Sequence, residues 1–101
     1  MLITKELEKK IPKLYATEDI KLENKMVYAK FFTPDANWTW WVLEYDKEDR
    51  IMFCYVQGMN DELGNVSLDE LESVRGPLGL KIERDLYFTP TRYGDIEELR
   101  C

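Results

Sequence analysis

Histidine is absent from all 101 residues. That absence excludes histidine general bases, Ser-His and Cys-His nucleophile pairs, and every metal site built on imidazole. Cysteine is scarce: Cys54 lies inside an apolar run, Cys101 is the last residue, and no Cys-x-x-Cys pair occurs. Cys54 reads as a small buried hydrophobe and Cys101 as a mobile thiol, a usage that fits a reducing cytosol. With five glycines and four prolines there is no glycine-rich phosphate loop, and Gly76-Pro77-Leu78-Gly79 is too short and apolar for that role. No apolar run approaches the roughly 20 residues that span a bilayer. Met1-Leu2-Ile3 is followed at once by Lys5, Glu6, Glu8, Lys9 and Lys10, so neither signal sequence nor membrane span is expected, and the expected location is the cytoplasm.

What is present points to a packed core. Hydrophobic residues make up 45% of the chain and aromatics 13%, with charge scattered among them, which excludes a disordered polymer. The length suits one domain over residues 1–101 and excludes a multidomain enzyme or a (β/α)₈ barrel. Charge is uneven. Residues 1–30 carry seven lysines against five acids, whereas residues 31–101 carry seven basic against fifteen acidic residues. Residues 44–72 are the most lopsided, with nine acids against Lys47 and Arg50. Such a field repels nucleic-acid phosphate, so no grip on duplex DNA is expected. The acids serve either as a solvated surface or as a face that meets a basic partner.

Thr4 is placed to cap a short helix carrying Leu7 and Ile11, with Leu14 extending the same face and Pro12 limiting it. Residues 16–25 read as a loop. Three runs rich in aromatic and β-branched residues, 26–33, 38–45 and 51–57, read as strands joined by turn-length connections, an antiparallel meander. Gly58 and Gly64 punctuate a polar bend, after which Val66 ends a short fourth strand. Ser67-Leu68-Asp69-Glu70 matches a capping box opening a helix with Leu68, Leu71 and Val74 inward, stopped by Gly76-Pro77. Residues 80–84 and 86–89 look like strand, and residues 95–100 like a terminal turn. The expected class is α+β: an antiparallel sheet of about five strands with two or three short helices.

Alternation places Val27, Ala29 and Phe31 on one face, with Tyr28, Lys30 and Phe32 on the other. In the next strand Trp38, Trp40 and Val42 oppose Trp41, Leu43 and Tyr45. In the third, Ile51, Phe53 and Tyr55 oppose Met52, Cys54 and Val56. Both faces are greasy, and two helices of about 12 Å each roof only one. The other face then needs the C-terminal segment, a second copy or a partner, or else stays an exposed aromatic patch.

The candidate binding residues follow from that surplus. Tyr28, Lys30, Phe32, Trp38, Trp40 and Trp41 offer rings and a cation, Arg84 an anion contact, and Asp61 and Glu62 steering carboxylates. Each has a plainer reading: tryptophan fills cores, and acids face water. Arg92 is a further cation for an anionic ligand. Paired acids such as Asp69-Glu70 show neither the separation nor the raised pKa that carboxylate catalysis needs, so no enzyme is expected. Asn60, Asp61 and Glu62 lack EF-hand spacing, and neither a metal nor a cofactor is expected.

Five stretches carry a family resemblance: residues 11–18 (Ile-Pro-Lys-Leu-Tyr-Ala-Thr-Glu), 30–34 (Lys-Phe-Phe-Thr-Pro), 37–40 (Asn-Trp-Thr-Trp), 71–76 and 80–85. With these the chain resembles a small single-domain family of unknown function found on plasmids, conjugative elements and phages. The resemblance implies an accessory protein of a mobile element, with no established reaction. Combined with the acidic second half, it leads to an expectation of a non-enzymatic protein that binds and inhibits a host defence component, of anti-restriction or anti-CRISPR type. The alternative is a module that stacks a nucleotide or single strand on Trp38, Trp40 and Tyr28 beside Lys30.

Overall fold

The computed structural model describes residues 2–99. The Thr4 hydroxyl accepts the Leu7 N–H and opens α1 (Lys5–Lys10); Ile11, ahead of Pro12, is already extended. Glu6 and Glu8 sit in the first turn and Lys9 and Lys10 in the last, complementing the helix dipole. A 3-10 turn over Leu22–Asn24 leads into β1 (Met26–Val27) and β2 (Ala29–Phe32). Next come β3 (Thr39–Asp46), β4 (Ile51–Gln57) and β5 (Glu62–Ser67). At Ser67 the hydroxyl accepts the Glu70 N–H and starts α2 (Leu68–Ser73). β6 (Glu83–Arg84), β7 (Thr91–Arg92) and 3-10 turns over Tyr93–Asp95 and Glu97–Leu99 complete the described chain.

Among the described residues the main sheet is antiparallel throughout, in the order β5-β4-β3-β2-β6, and β1 with β7 forms a separate two-stranded ribbon. The α+β class and the five-strand antiparallel sheet stand as the sequence predicts. Several details differ. The run over residues 26–33 breaks at Tyr28, because Val27 pairs with Thr91 whereas Ala29 pairs with Val42. Val27 therefore joins the face opposite Ala29 and Phe31, and Tyr28 packs with those two rather than against them. β3 carries a bulge: Val42 lies across from Cys54, and the next aligned pair is Glu44 with Phe53. Leu43 is the inserted residue, so Tyr45 returns to the side of Trp40 and Val42.

Gly64 lies inside β5 rather than in the preceding bend. Val74 is exposed, just past the end of α2. Only Glu83 and Arg84 of residues 80–89 are strand, because the stretch pairs briefly with Phe31 and Phe32 and then turns away. The turn expected over residues 95–100 is 3-10 as far as Leu99; Arg100 and Cys101, with the expected mobile thiol, lie outside the described residues.

Both faces of the sheet are roofed by the chain itself: of the covers that the sequence leaves open for the second face, the C-terminal segment supplies most, and the exposed aromatic patch is not formed there. Leu2, Ile3, Leu7 and Ile11 join Leu68 and Leu71 of α2 over the face that holds Phe31, Trp40, Val42, Met52 and Cys54. The opposite face, with Trp41, Leu43 and Phe53, is covered by Val27, Leu22, Phe88, Tyr93, Ile96 and Leu99. Roofing the second side falls to irregular backbone, which reaches across a sheet without needing helix length.

Candidate binding surface at the Arg84 edge

The tryptophans divide by depth. Trp41 has no exposed surface: its indole N–H donates to Gln57 Oε1 at 2.8 Å and the Phe88 ring meets it edge-on at 5.8 Å. The Lys30 ammonium sits 5.0 Å above its ring, so this face is already taken by the molecule's own cation. Trp40 is buried in the first core. Trp38 stacks on it at 6.0 Å and lies against Gly58, where a Cβ would fall within its ring. Trp38 is 38% exposed and is the one tryptophan with surface to offer. Tyr28 is half-buried against the first core.

Three of the expected residues do converge. Lys30 and Phe32 of β2 and Arg84 of β6 line a cleft of about 460 Å³ with Thr39, Glu83, Asp85, Leu86 and Tyr87. Lys30 bonds Glu98 at 2.9 Å and stands 3.9 Å from Asp85. Arg84 is different. Among the described arginines its side chain alone makes no hydrogen bond or ion pair, and its Nε is sequestered without an acceptor. A second cavity of about 200 Å³ lies beside it, lined by Thr4, Leu7, Lys10, Tyr28 and Arg84 among others. Arg92, by contrast, is occupied by Asp95 and Asn24.

Beyond Arg84 the chain turns sharply. The Asp85 N–H donates to the Lys30 carbonyl, the Asp85 carboxylate accepts from the Tyr87 N–H at 2.9 Å, and the Phe88 N–H donates to the Asp85 carbonyl. This pinned turn pushes Leu86 and Tyr87 outward, 74% and 96% exposed. Two adjacent large apolar side chains on an ordered turn are not the scattered surface hydrophobics that most proteins show. The sequence pattern predicts strand over residues 86–89, and the structure has a turn at Leu86 and Tyr87 instead. The signal available was the Asp85 that precedes them, a turn-forming residue.

Asp61 and Glu62 sit elsewhere, at the start of β5. The Tyr55 hydroxyl donates to Asp61 at 3.3 Å, and Glu62 is exposed opposite Val56. Among the described residues no group of three or more Cys, Asp or Glu is arranged to hold a metal ion. No described helix is long and apolar enough to cross a membrane.

Sequence reasoning missed the polar centre at Glu44. This buried carboxylate accepts the Tyr15 N–H at 2.8 Å and the Thr17 N–H at 3.0 Å, and the Thr17 hydroxyl as well. Lys25 approaches it at 4.0 Å while donating to the Thr17 carbonyl at 2.7 Å. Tyr15 has φ +68°, a left-handed conformation that an aromatic residue holds only when its surroundings impose it. The hydrogen bonds that Glu44 accepts from Tyr15 and Thr17 fix the 15–17 turn, so the centre acts as a clamp. Burial shifts several groups. It pushes the Cys54 thiol far above its usual range and, together with the neighbouring Tyr93 hydroxyl, pushes Tyr55 up to about 12. The Asp69 hydrogen bond raises Arg50 further still, fixing its charge.

An antiparallel sheet roofed on both faces, with a pinned apolar turn and an arginine side chain without a partner at one edge, defines a small α+β domain. Over residues 2–93 the chain matches the family described as "Protein of unknown function (DUF2958)", and it belongs to that family. No curated protein and no solved structure matches it.

Proposed function

We propose that this is a non-enzymatic binding protein that docks a protein partner through the Leu86–Tyr87 turn and the adjoining cleft of Lys30, Phe32, Thr39 and Arg84. The observation that carries it is the projection of Leu86 and Tyr87 from a hydrogen-bonded turn. Exposed aromatic anchors held in place before binding lose little conformational entropy on contact, and tyrosine and arginine are frequent hot-spot residues. The unpaired Arg84 guanidinium beside the anchor supplies directional donors for an acceptor on the partner. The finer reading names the partner as a host defence component, engaged to the benefit of a mobile element. Its support is the resemblance carried by residues 11–18, 37–40 and 80–85.

The test uses a host with an active restriction or CRISPR system, challenged by phage with and without this protein. Plating should rise with the wild-type chain and fall back with a Leu86→Ser, Tyr87→Ser double variant. Capture on the wild-type protein should retrieve a component of that defence system. For the captured partner, Tyr87→Ala should weaken binding by about 2 kcal/mol, roughly thirtyfold. Unchanged plating across several systems, with nothing retained that the double variant fails to retain, rules the reading out.

A further inference from the structure

The far edge of the sheet is bare. Among the described residues β5 pairs with β4 alone, so the main-chain donors and acceptors on its outer side face no described strand. Proteins blunt such edges with lysine, proline, bulges or a covering loop. β5 (Glu62–Ser67) contains neither lysine nor proline, and its pairing with β4 runs in unbroken register from Ile51–Ser67 to Val56–Glu62. Its residues are exposed or half-buried along the whole strand. At about 3.4 Å per residue it offers an edge of about 20 Å, enough for a short added strand.

Beside this edge lies a cleft of about 430 Å³, walled by Leu14, Tyr15, Phe53, Leu63 and Asn65, with Glu18 and the Glu44–Lys25 pair also on its wall, so that Glu18 is its one acid without a cation beside it on that wall. The Leu63 side chain is 44% exposed there. The Glu44 clamp holds Tyr15 in its left-handed conformation, so that wall is formed in advance. Backbone edge and side-chain pocket together are what strand addition uses: the main chain supplies affinity and the pocket reads alternate side chains. Charge selects the occupant. Asp61 and Glu62 stand at the start of β5 and Glu18 on the cleft wall, and β5 itself carries no lysine or arginine, whereas Asp69 and Glu72 of α2 are already paired with Arg50. A second copy of this edge would bring like charge to like.

We infer that β5 and its cleft accept an extended, basic segment of a partner protein as a sixth strand, with an apolar side chain of that segment seated against Leu63 and Phe53. This surface is at the opposite edge of the sheet from Leu86 and Tyr87 and stands or falls independently of them. The probe is a capped peptide of about eight residues alternating valine and lysine, the length of an ordinary strand. Three comparisons accompany it: the valine–glutamate counterpart, the valine–lysine peptide with every backbone amide methylated, and the protein carrying Leu63→Lys or Asn65→Lys. Backbone amide spectra establish that each variant folds and locate binding by hydrogen exchange.

The valine–lysine peptide should slow exchange along β5, and each of the three changes should weaken it by about tenfold or more. Adding salt should weaken the wild-type interaction. Equal binding of the methylated peptide or of the acidic peptide overturns the inference. So does exchange protection confined to residues outside β5, or a concentration-dependent dimer that protects β5 without peptide.

Discussion

Trp41 uses its indole within the molecule: N–H to Gln57, edge to Phe88, face beneath Lys30. A ring so engaged has no surface for a base, whereas Tyr87 has almost all of its surface in water. Tyr55 lies between these extremes. Its hydroxyl donates to Asp61 and its ring meets Tyr93 edge-on at 5.3 Å. Burial and the Tyr93 hydroxyl raise its pKa to about 12, against about 10 for an unfolded tyrosine. Below about pH 10 both states keep the proton and its contribution is constant. Between about 10 and 12 only the unfolded state has released it, so stability falls as pH rises through that window. Tyr45, raised mainly by burial, acts in the same direction. Urea midpoints should fall from about pH 9 to about pH 11 and fall less steeply in Tyr55→Phe; equal slopes would remove Tyr55 as a cause. At this scale the sequence marks residue types well. The aromatic cluster over residues 38–41 is evident, but depth separates its members, and depth depends on partners such as Gln57 and Phe88 that lie far along the chain.

β3 shows how an element redistributes chemistry. Its bulge at Leu43 turns Glu44 toward the second face, where the 15–17 turn and Lys25 meet its carboxylate. Glu44→Ala would leave two main-chain N–H groups and the Thr17 hydroxyl without their acceptor, and the half-buried Lys25 ammonium without its counter-charge. The expected loss is about 3–5 kcal/mol, the range for breaking a buried pair from one side. Glu44→Gln, which keeps an acceptor oxygen, should lose less. Urea unfolding measures both, and a loss under about 1 kcal/mol for the alanine variant would show that the turn holds itself. The sequence presents residues 11–18 as a distinctive stretch and Glu44 as one acid among nine in its neighbourhood. Nothing local joins them. The helix starts at Thr4 and Ser67 were legible because capping is decided within four residues.

For the whole molecule, the balance turns on residues 88–99, whose Phe88, Tyr93, Ile96 and Leu99 close the second face over Trp41, Leu43 and Phe53. Ending the chain after Pro90 removes three of those four side chains. That variant should bind a hydrophobic dye and self-associate, and its Trp41 should become accessible to aqueous quenchers; a monomer with wild-type quenching would show that the tail is dispensable. The sequence by itself determined the α+β class, the two-sided oiliness of the central strands, the helix starts and the acidic bias, because each follows from local periodicity or composition. Only the tertiary structure decided that the chain roofs both faces and that the exposed anchors are Leu86 and Tyr87. The covering side chains stand on irregular backbone with no period to read, and a one-residue bulge reverses a strand's facing without leaving a mark in composition.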